Sequence, residues 1–245
     1  MATEQILIIG ASSTIAQAIV AETLISKPEA DIIVISRNID IYDNTQSNAL
    51  IKISIADYQP ETIQQTITNL HKTTDLPTTQ IYICNGLLHS EIITPEKRIE
   101  DFCSEAFLSI IEANTLTPIL WLKALIPVLT TKNDCTLVVF SARVGSTEDN
   151  RLGGWYSYRA SKSALNMMVK NLAVELSRRS KNTKVILFHP GTTDSPLSKP
   201  FQKNVPEGKL FKAKYVAQQL GKIIEEQPFD QKASFLDWQG KTIAW

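Results

Sequence analysis

The chain encodes a three-layer α/β/α architecture, a doubly wound parallel sheet of about seven strands with helices on both faces, and three observations carry that reading. Short β-branched runs alternate with longer amphipathic stretches from one end of the sequence to the other. The strand candidates are near-continuous Ile, Val and Leu, the pattern of strands buried on both faces, instead of alternating apolar and polar residues. Glycines and polar residues able to do chemistry recur just after the strands, where an open parallel sheet binds its ligands.

Taken in order, the strands are expected at Ile6 to Ile9, Ile32 to Ile35, Leu50 to Ile53, Ile81 to Cys84, Thr136 to Phe140 and Lys184 to Phe188. Between them the helical period predicts helices at about 13–25, 60–70, 97–112, 114–130, 155–180 and 213–226, with Pro60 well placed to open the second. Strand–helix–strand order implies right-handed crossovers. No Pro-, Gly- or Ser-rich linker interrupts the chain, so residues 1–245 are expected to form one domain, and 43% apolar residues are ample for its core.

Composition excludes several functions. The 25 basic and 25 acidic residues are intermixed and cancel, so no global field would hold a nucleic acid or an anionic membrane. Glu4 stands where a signal segment would be basic, the run from Ile6 to Ile9 is short, and the longest apolar stretch, Ile119 to Leu129, is broken by Lys123 and Pro127. A cytoplasmic location is expected. Cys84, Cys103 and Cys135 are odd in number and widely spaced, and read as structural thiols. No His/Cys/Asp cluster has metal-ligand spacing, so no metal is expected.

The most informative local feature is Tyr158 and Lys162 on one predicted helix. Residues four apart share a face, which brings a phenol and an ammonium into one small site. A unit charge at ~4 Å in an effective dielectric near 20 is worth about 4 kcal/mol, enough to pull a phenol of ordinary pKa about 10 toward neutrality. Ser141 ends the fifth strand run, Asn85 and Gly86 follow the fourth, and Pro190 and Gly191 follow the sixth. Asn114 either caps a helix or faces this site. His89 and His189 flank the same end of the sheet and read as hydrogen-bonded structural residues.

The turn from Gly10 to Ala16 follows the first strand and opens a helix, the setting in which backbone amides receive a pyrophosphate. Gly10 alone survives of the three glycines usual there; Thr14 and Ala16 take the other places, and the Thr14 hydroxyl can donate to the phosphate instead. Ser12 or Ser13 can cap the helix. After the second strand the chain reads Ser36-Arg37-Asn38, with no carboxylate for a ribose diol. Arg37 can pair with a 2′-phosphate, which favours NADP(H) over NAD(H).

Assembled in this order, the residues resemble the short-chain dehydrogenase/reductase family over essentially the whole chain. The matching segments are Gly10 to Ala16, Cys84-Asn85-Gly86, Asn114, Ser141, Tyr158 with Lys162, and Pro190-Gly191. The tail, with Leu197-Ser198-Lys199-Pro200-Phe201 and Asp237-Trp238-Gln239-Gly240-Lys241, looks closest to its C-factor and Sniffer-like carbonyl reductase branch. The resemblance implies a Rossmann-type NAD(P) domain in which Asn114, Ser141, Tyr158 and Lys162 are catalytic. Cofactor contacts are implied at Gly10, Ser12, Ser13, Thr14, Ile15, Arg37, Ser54, Ile55, Asn85, Gly86, Tyr158, Lys162, Pro190, Gly191 and Thr193. Ser54 stands where an adenine-contacting Asp is common in the family.

The roles that follow are hydride transfer between a nicotinamide and a carbonyl or secondary alcohol, with Tyr158 as acid/base. Ser141 would hold the carbonyl oxygen, Lys162 would bind the nicotinamide ribose and, with the charge of the oxidised ring, depress the Tyr158 pKa, and Asn114 would place a water that links Lys162 to solvent. The segment at about 192–212 is expected to wall the substrate, with Phe201, Val205 and Leu210 as apolar contacts. Small-molecule substrates are the expected partners, and the helices around 114–130 and 155–180 match the family's two-fold four-helix interface of homodimers and homotetramers, although monomeric members exist. Two other functions stay open: a nucleotide-binding regulator of the same fold with little or no turnover, suggested by the eroded glycine turn, and nucleotide-sugar dehydratase or epimerase chemistry, for which the chain lacks a larger substrate domain.

Overall fold

In the computed structural model, which describes residues 2–245, the sheet strands are β1 (Glu4–Ile9), β2 (Ala30–Ser36), β3 (Leu50–Ser54), β4 (Thr78–Ile83), β5 (Cys135–Phe140), β6 (Thr183–His189) and β9 (Ala233–Asp237). All pair in parallel, in the order β3-β2-β1-β4-β5-β6-β9. The six strands expected from the sequence are present. The seventh, β9, joins the β6 edge with Phe235 opposite Leu187 and Asp237 opposite His189.

The two-residue period of the strands divides the core into two layers. Leu7, Ile9, Ile33, Ile35, Leu137, Val139 and Leu187 point to one face, under α2 (Pro60–Thr73), α4 (Thr117–Ala124) and α6 (Tyr156–Arg179). Ile6, Ile8, Ile32, Val34, Val138, Ile186 and Phe188 point to the other, under α1 (Thr14–Ser26) and α7 (Ala213–Glu226). Away from the β3 edge both faces are therefore dry, which is why the inner strands carry so few polar residues.

Two helix expectations need correction. The stretch at 97–112 is helical only from Ser104, in α3 (Ser104–Ile111). Ahead of it Ile99–Asp101 forms a tight 3-10 turn, because the Asp101 carboxylate accepts the Lys97 and Arg98 amides at 3.3 and 3.1 Å and closes the chain on itself. No helix starts at 114 either: α3 runs on through a π turn at Glu112–Leu116 into α4, and the break falls at Leu125, before the short α5 (Ile126–Leu129) that carries Pro127. Beyond β6 a small pair, β7 (Thr192–Thr193) and β8 (Leu210–Phe211), closes the base of the excursion between them. No described helix is long and apolar enough to cross a membrane.

Candidate active site

The strand order reverses between β1 and β4, so their carboxyl ends splay apart into the crevice where such sheets take ligands. Gly10 lies there with φ +71°, and a Cβ on it would stand 2.9 Å from the Asn85 amide nitrogen and 3.0 Å from the Cys84 carbonyl carbon. Only glycine fits, because both the backbone angle and the approach to β4 exclude a side chain. Ser13 caps α1 by accepting the Ala16 amide at 3.2 Å. The first-turn amides of Thr14 and Ile15 have no backbone acceptor among the described residues, which leaves donors facing the crevice. Tyr42, not singled out in the sequence, fastens the turn by donating to the Ala11 carbonyl at 2.7 Å, and Ser36 donates to the Ser12 hydroxyl at 3.1 Å. These bonds hold the turn where glycines are missing.

Arg37 is exposed at the end of β2, with its guanidinium 4.8 Å above the Tyr58 ring. Ser54 is exposed at the end of β3, and Ile55 is buried and donates its amide to Ser36 at 3.2 Å. Both also line a recess of about 670 Å³ between β3 and α2. That recess contains none of the catalytic side chains, so the site is located by the convergence of reactive groups and not by cavity size.

Helix α6 brings Tyr158 and Lys162 to the ends of β4 and β5. Lys162, 3% exposed, donates to the Phe140 carbonyl at 3.0 Å. A Cβ on Gly86 would lie 3.8 Å from its ammonium and 3.6 Å from Asn114 Oδ1, so these three residues meet. Tyr158 is 8% exposed and packs with Leu88 and Ala142, while Tyr156 turns toward solvent. The expected acidification of the phenol is not what the geometry gives. Burial pushes the Tyr158 hydroxyl up to about 12 and pulls Lys162 down to about 8. Removal from water outweighs the pair attraction because the ammonium is held on a carbonyl of β5.

Asn114 is fully buried in the π turn. It accepts the Leu87 amide at 2.7 Å and donates to the Leu87 carbonyl at 2.7 Å and to Ser161 at 3.0 Å. Its side chain is therefore a clamp on the Gly86–Leu87 segment. Ser141 donates to Asn166 Oδ1 at 2.5 Å, with both residues buried.

Pro190 and Gly191 lead from β6 into β7, where the tilted Phe211 and Trp238 rings, 4.3 Å apart, close against Gly191. The excursion that follows carries a 3-10 turn at Lys199–Asn204, which delivers Phe201 to the Tyr158 cluster. Phe201 stands 5.0 Å from the Trp155 ring and 5.7 Å from the His89 ring, and Trp155 is 6.1 Å from Tyr158. Of the other apolar contacts expected, Val205 is only half-buried and Leu210 is 40% exposed; Phe211 packs in its stead. Trp155 adopts φ +52° after Gly153 and Gly154 at +64° and +65°, a strained left-handed run stabilised by Arg159, which donates to both glycine carbonyls. The Gly-Gly-Trp run was the available signal for this wall. Glu96 is a further residue the sequence did not single out; its buried carboxylate accepts the Ser157 amide and hydroxyl at the start of α6.

Several groups stand outside this chemistry. Burial raises the Cys84 and Cys135 thiols, and Cys103 is exposed and bonded to Glu105. His189 is pulled down to about 4 by burial and by Arg143, so it is neutral near pH 7. No group of three or more His, Cys, Asp or Glu residues among those described is arranged to hold a metal ion.

Among the described residues, three buried polar atoms at this end of the sheet have no hydrogen-bond partner, Asn85 Oδ1, His189 Nδ1 and Thr193 Oγ1, so the hydrogen bond expected of His189 is missing at that nitrogen. An unpaired buried polar atom is costly, and those of Asn85 and Thr193, flanking the ends of β4 and β6, fit a polar ligand lying across the site. With the open amides of Thr14 and Ile15 and the free guanidinium of Arg37, these residues fit a dinucleotide.

An α/β sheet with a Tyr–Lys pair at its carboxyl edge defines a nucleotide-binding oxidoreductase class. The family model for short chain dehydrogenases matches residues 4–206, and the chain belongs to that family. Among curated relatives, a 1-hydroxy-2-glutathionyl-2-methyl-3-butene dehydrogenase of Rhodococcus sp. is 41% identical over 37% of this chain and 38% of its own length. The C-signal of Myxococcus xanthus is 28% identical over 54% of this chain and 74% of its own, and a benzil reductase of Bacillus cereus is 25% identical over 57% and 61%. For the first and the last of these the match spans less than two thirds of the relative's own length. Among solved structures, the carbonyl reductase Sniffer of D. melanogaster superimposes with a TM-score of 0.82 at 21% identity, covering 100% of both chains. An NADPH-bound carbonyl reductase from chicken fatty liver gives 0.83 at 17% identity, covering 100% of this chain and 95% of that one. The C-signal and Sniffer matches fall in the branch that the tail resembles.

Proposed function

We propose that the protein is an NADP(H)-dependent reductase of ketones or aldehydes, or a dehydrogenase of the corresponding secondary alcohols. The observation that carries this reading is the meeting of Lys162 and Asn114 at Gly86, with Tyr158 one helical turn before Lys162, at the end of the sheet where Asn85 Oδ1 and Thr193 Oγ1 are buried without a partner among the described residues. Names of relatives such as benzil reductase, and the NADPH-bound neighbour, support it.

A bound nicotinamide supplies or takes the hydride. Tyr158 gives its proton to the developing alkoxide; with the phenol raised to about 12, that proton is in place at neutral pH. Lys162, lowered to about 8 but still mainly charged at pH 7, holds the ribose and stabilises the phenolate that remains. Arg37 stands free of any carboxylate partner among the described residues, ready for a 2′-phosphate. Trp155, Phe201 and Leu88 make the wall beside Tyr158 apolar and exclude water from the reacting carbonyl.

The test is NADPH oxidation against a panel of carbonyl compounds, run with Tyr158→Phe and Arg37→Asp. Tyr158→Phe should lower kcat about 10²- to 10⁴-fold without changing NADPH affinity. Arg37→Asp should move the preference toward NADH by about 10- to 100-fold, the value of one or two charge-assisted bonds. Turnover that survives Tyr158→Phe defeats the reading. Tight NADPH binding with no turnover across the panel selects the alternative, a nucleotide-binding regulator, to which the single-glycine turn and the C-signal relative lend support.

A further inference from the structure

We infer that Glu96 is a positioning residue for Tyr158: its buried carboxylate caps the first turn of α6, which carries the phenol, an inference that rests on the reductase reading. Helix α6 does not cap itself. Its N-cap residue, Trp155, is left-handed and offers no side-chain bond, and no acidic residue lies in its first turn. Glu96, 61 residues before Ser157, fills both gaps. Its carbonyl accepts the Trp155 amide at 2.5 Å, one carboxylate oxygen accepts the Ser157 amide at 3.2 Å, and the other accepts the Ser157 hydroxyl.

Glu96 is 5% exposed and forms no ion pair among the described residues. A buried carboxylate needs a compensating positive potential, and the amino end of a 24-residue helix supplies it. Leu88, Ile93 and Ile110, all buried, line the small recess shared by Glu96, Ser157 and Tyr158, so these bonds lie in apolar surroundings that strengthen them. Beyond its first turn α6 is held by other groups. The Ser161 hydroxyl accepts from Asn114 at 3.0 Å, the Ser161 carbonyl accepts from Thr115 at 2.8 Å, and Lys162 sits on the Phe140 carbonyl at 3.0 Å. Loss of the Glu96 carboxylate therefore loosens the turn of Tyr158 and leaves Lys162 in place, which separates proton transfer from cofactor binding.

Amide hydrogen exchange reads the cap without any turnover. In Glu96→Ala the Ser157 amide should exchange roughly five- to tenfold faster than in wild type, the value of one buried hydrogen bond, while the Leu165 and Val169 amides keep their wild-type rates. In Glu96→Gln the side-chain oxygen still accepts that amide and the NH₂ can donate to the Ser157 hydroxyl, so exchange should return to the wild-type rate. Kinetics then test the consequence. Glu96→Ala should lower kcat about 10- to 100-fold, the cost of a slightly misplaced acid, with KM for NADPH unchanged. Glu96→Gln should stay within about fivefold of wild type, the value of a charge lost at a helix end. In the Tyr158→Phe background Glu96→Ala should cost nothing further. Ser157→Ala removes one hydroxyl only and keeps the test open if Glu96→Ala does not fold: kcat should fall roughly two- to tenfold, again with KM for NADPH unchanged. An unchanged Ser157 amide, a fall in NADPH affinity that matches the fall in kcat, or an equal loss in the Tyr158→Phe background overturns the inference. If the wild type reduces no carbonyl, the reductase reading fails while the exchange rates still decide whether Glu96 caps α6.

Discussion

Lys162 is 3% exposed with its ammonium on the Phe140 carbonyl, and removal from water lowers its pKa to about 8. In the unfolded chain the same group titrates near 10.4. Between those values the unfolded state binds more protons than the folded one, so the Lys162 contribution makes the cofactor-free protein more stable as pH rises from about 8. Tyr158 acts in the opposite sense at higher pH. Its hydroxyl, raised to about 12, stays protonated in the fold after the unfolded chain has released its proton near 10, so stability falls across that later window. The expected outcome is that wild type gains on Lys162→Met by up to about 2–3 kcal/mol between pH 8 and 10, read from denaturant midpoints. A difference that is flat across that interval would show that the ammonium is solvated in the fold.

At the scale of elements, the π turn between α3 and α4 is the feature that sequence periodicity misread. Asn114 disfavours an ordinary helix interior, which reads as a helix boundary. In the fold it is retained within the helical run because Leu87, 27 residues away, supplies both a donor and an acceptor for its amide. The same geometry explains why π turns gather at functional positions: the extra residue redirects one side chain to the segment after β4. Asn114→Ala removes the partners of the Leu87 amide and carbonyl together. Leaving two half-buried backbone groups unpaired costs about 1–3 kcal/mol, and the loosened Gly86–Leu87 segment should also weaken NADPH binding. Chemical denaturation and cofactor titration measure the two effects. A loss of stability under about 1 kcal/mol would mean that water takes the place of the side chain and that the clamp is dispensable.

For the whole molecule, what was legible divides by the range of the interaction. Five strands were readable because burial on both faces writes itself as runs of Ile and Val, β3 was readable from its Leu and Ile residues although it lies exposed at the sheet edge, and the Tyr158–Lys162 pair was readable because one helical turn sets it. The seventh strand was not located, since Ala233 and Ser234 are only half-buried at the sheet edge and Phe235 and Leu236 alone commit to the core. Asn166 on Ser141, Glu96 on Ser157 and Arg143 on Asp237 join residues 25, 61 and 94 apart, and nothing local announces them. The last of these ties the two ends of the site's framework together. Arg143 begins the short turn just after Ser141, donates to Asp237 at 3.0 Å and to Asp149 at 3.1 Å, and so fastens the β5 loop to the end of β9. Asp237 is buried, and its other oxygen accepts the Gln239 and Lys241 amides at 2.9 and 3.1 Å. Asp237→Ala should therefore cost ~2–4 kcal/mol, less than a fully buried ion pair because the Arg143 side chain is 45% exposed. It should also lower kcat through the freed Ser141 loop. Asp237→Asn, which keeps an oxygen for the turn amides but loses the charge facing Arg143, should fall between the two. Unfolding free energies of Asp237→Ala within about 0.5 kcal/mol of wild type would place this carboxylate among ordinary surface residues and would leave the Ser141 loop held by Asn166 and the β5–β6 pairing alone.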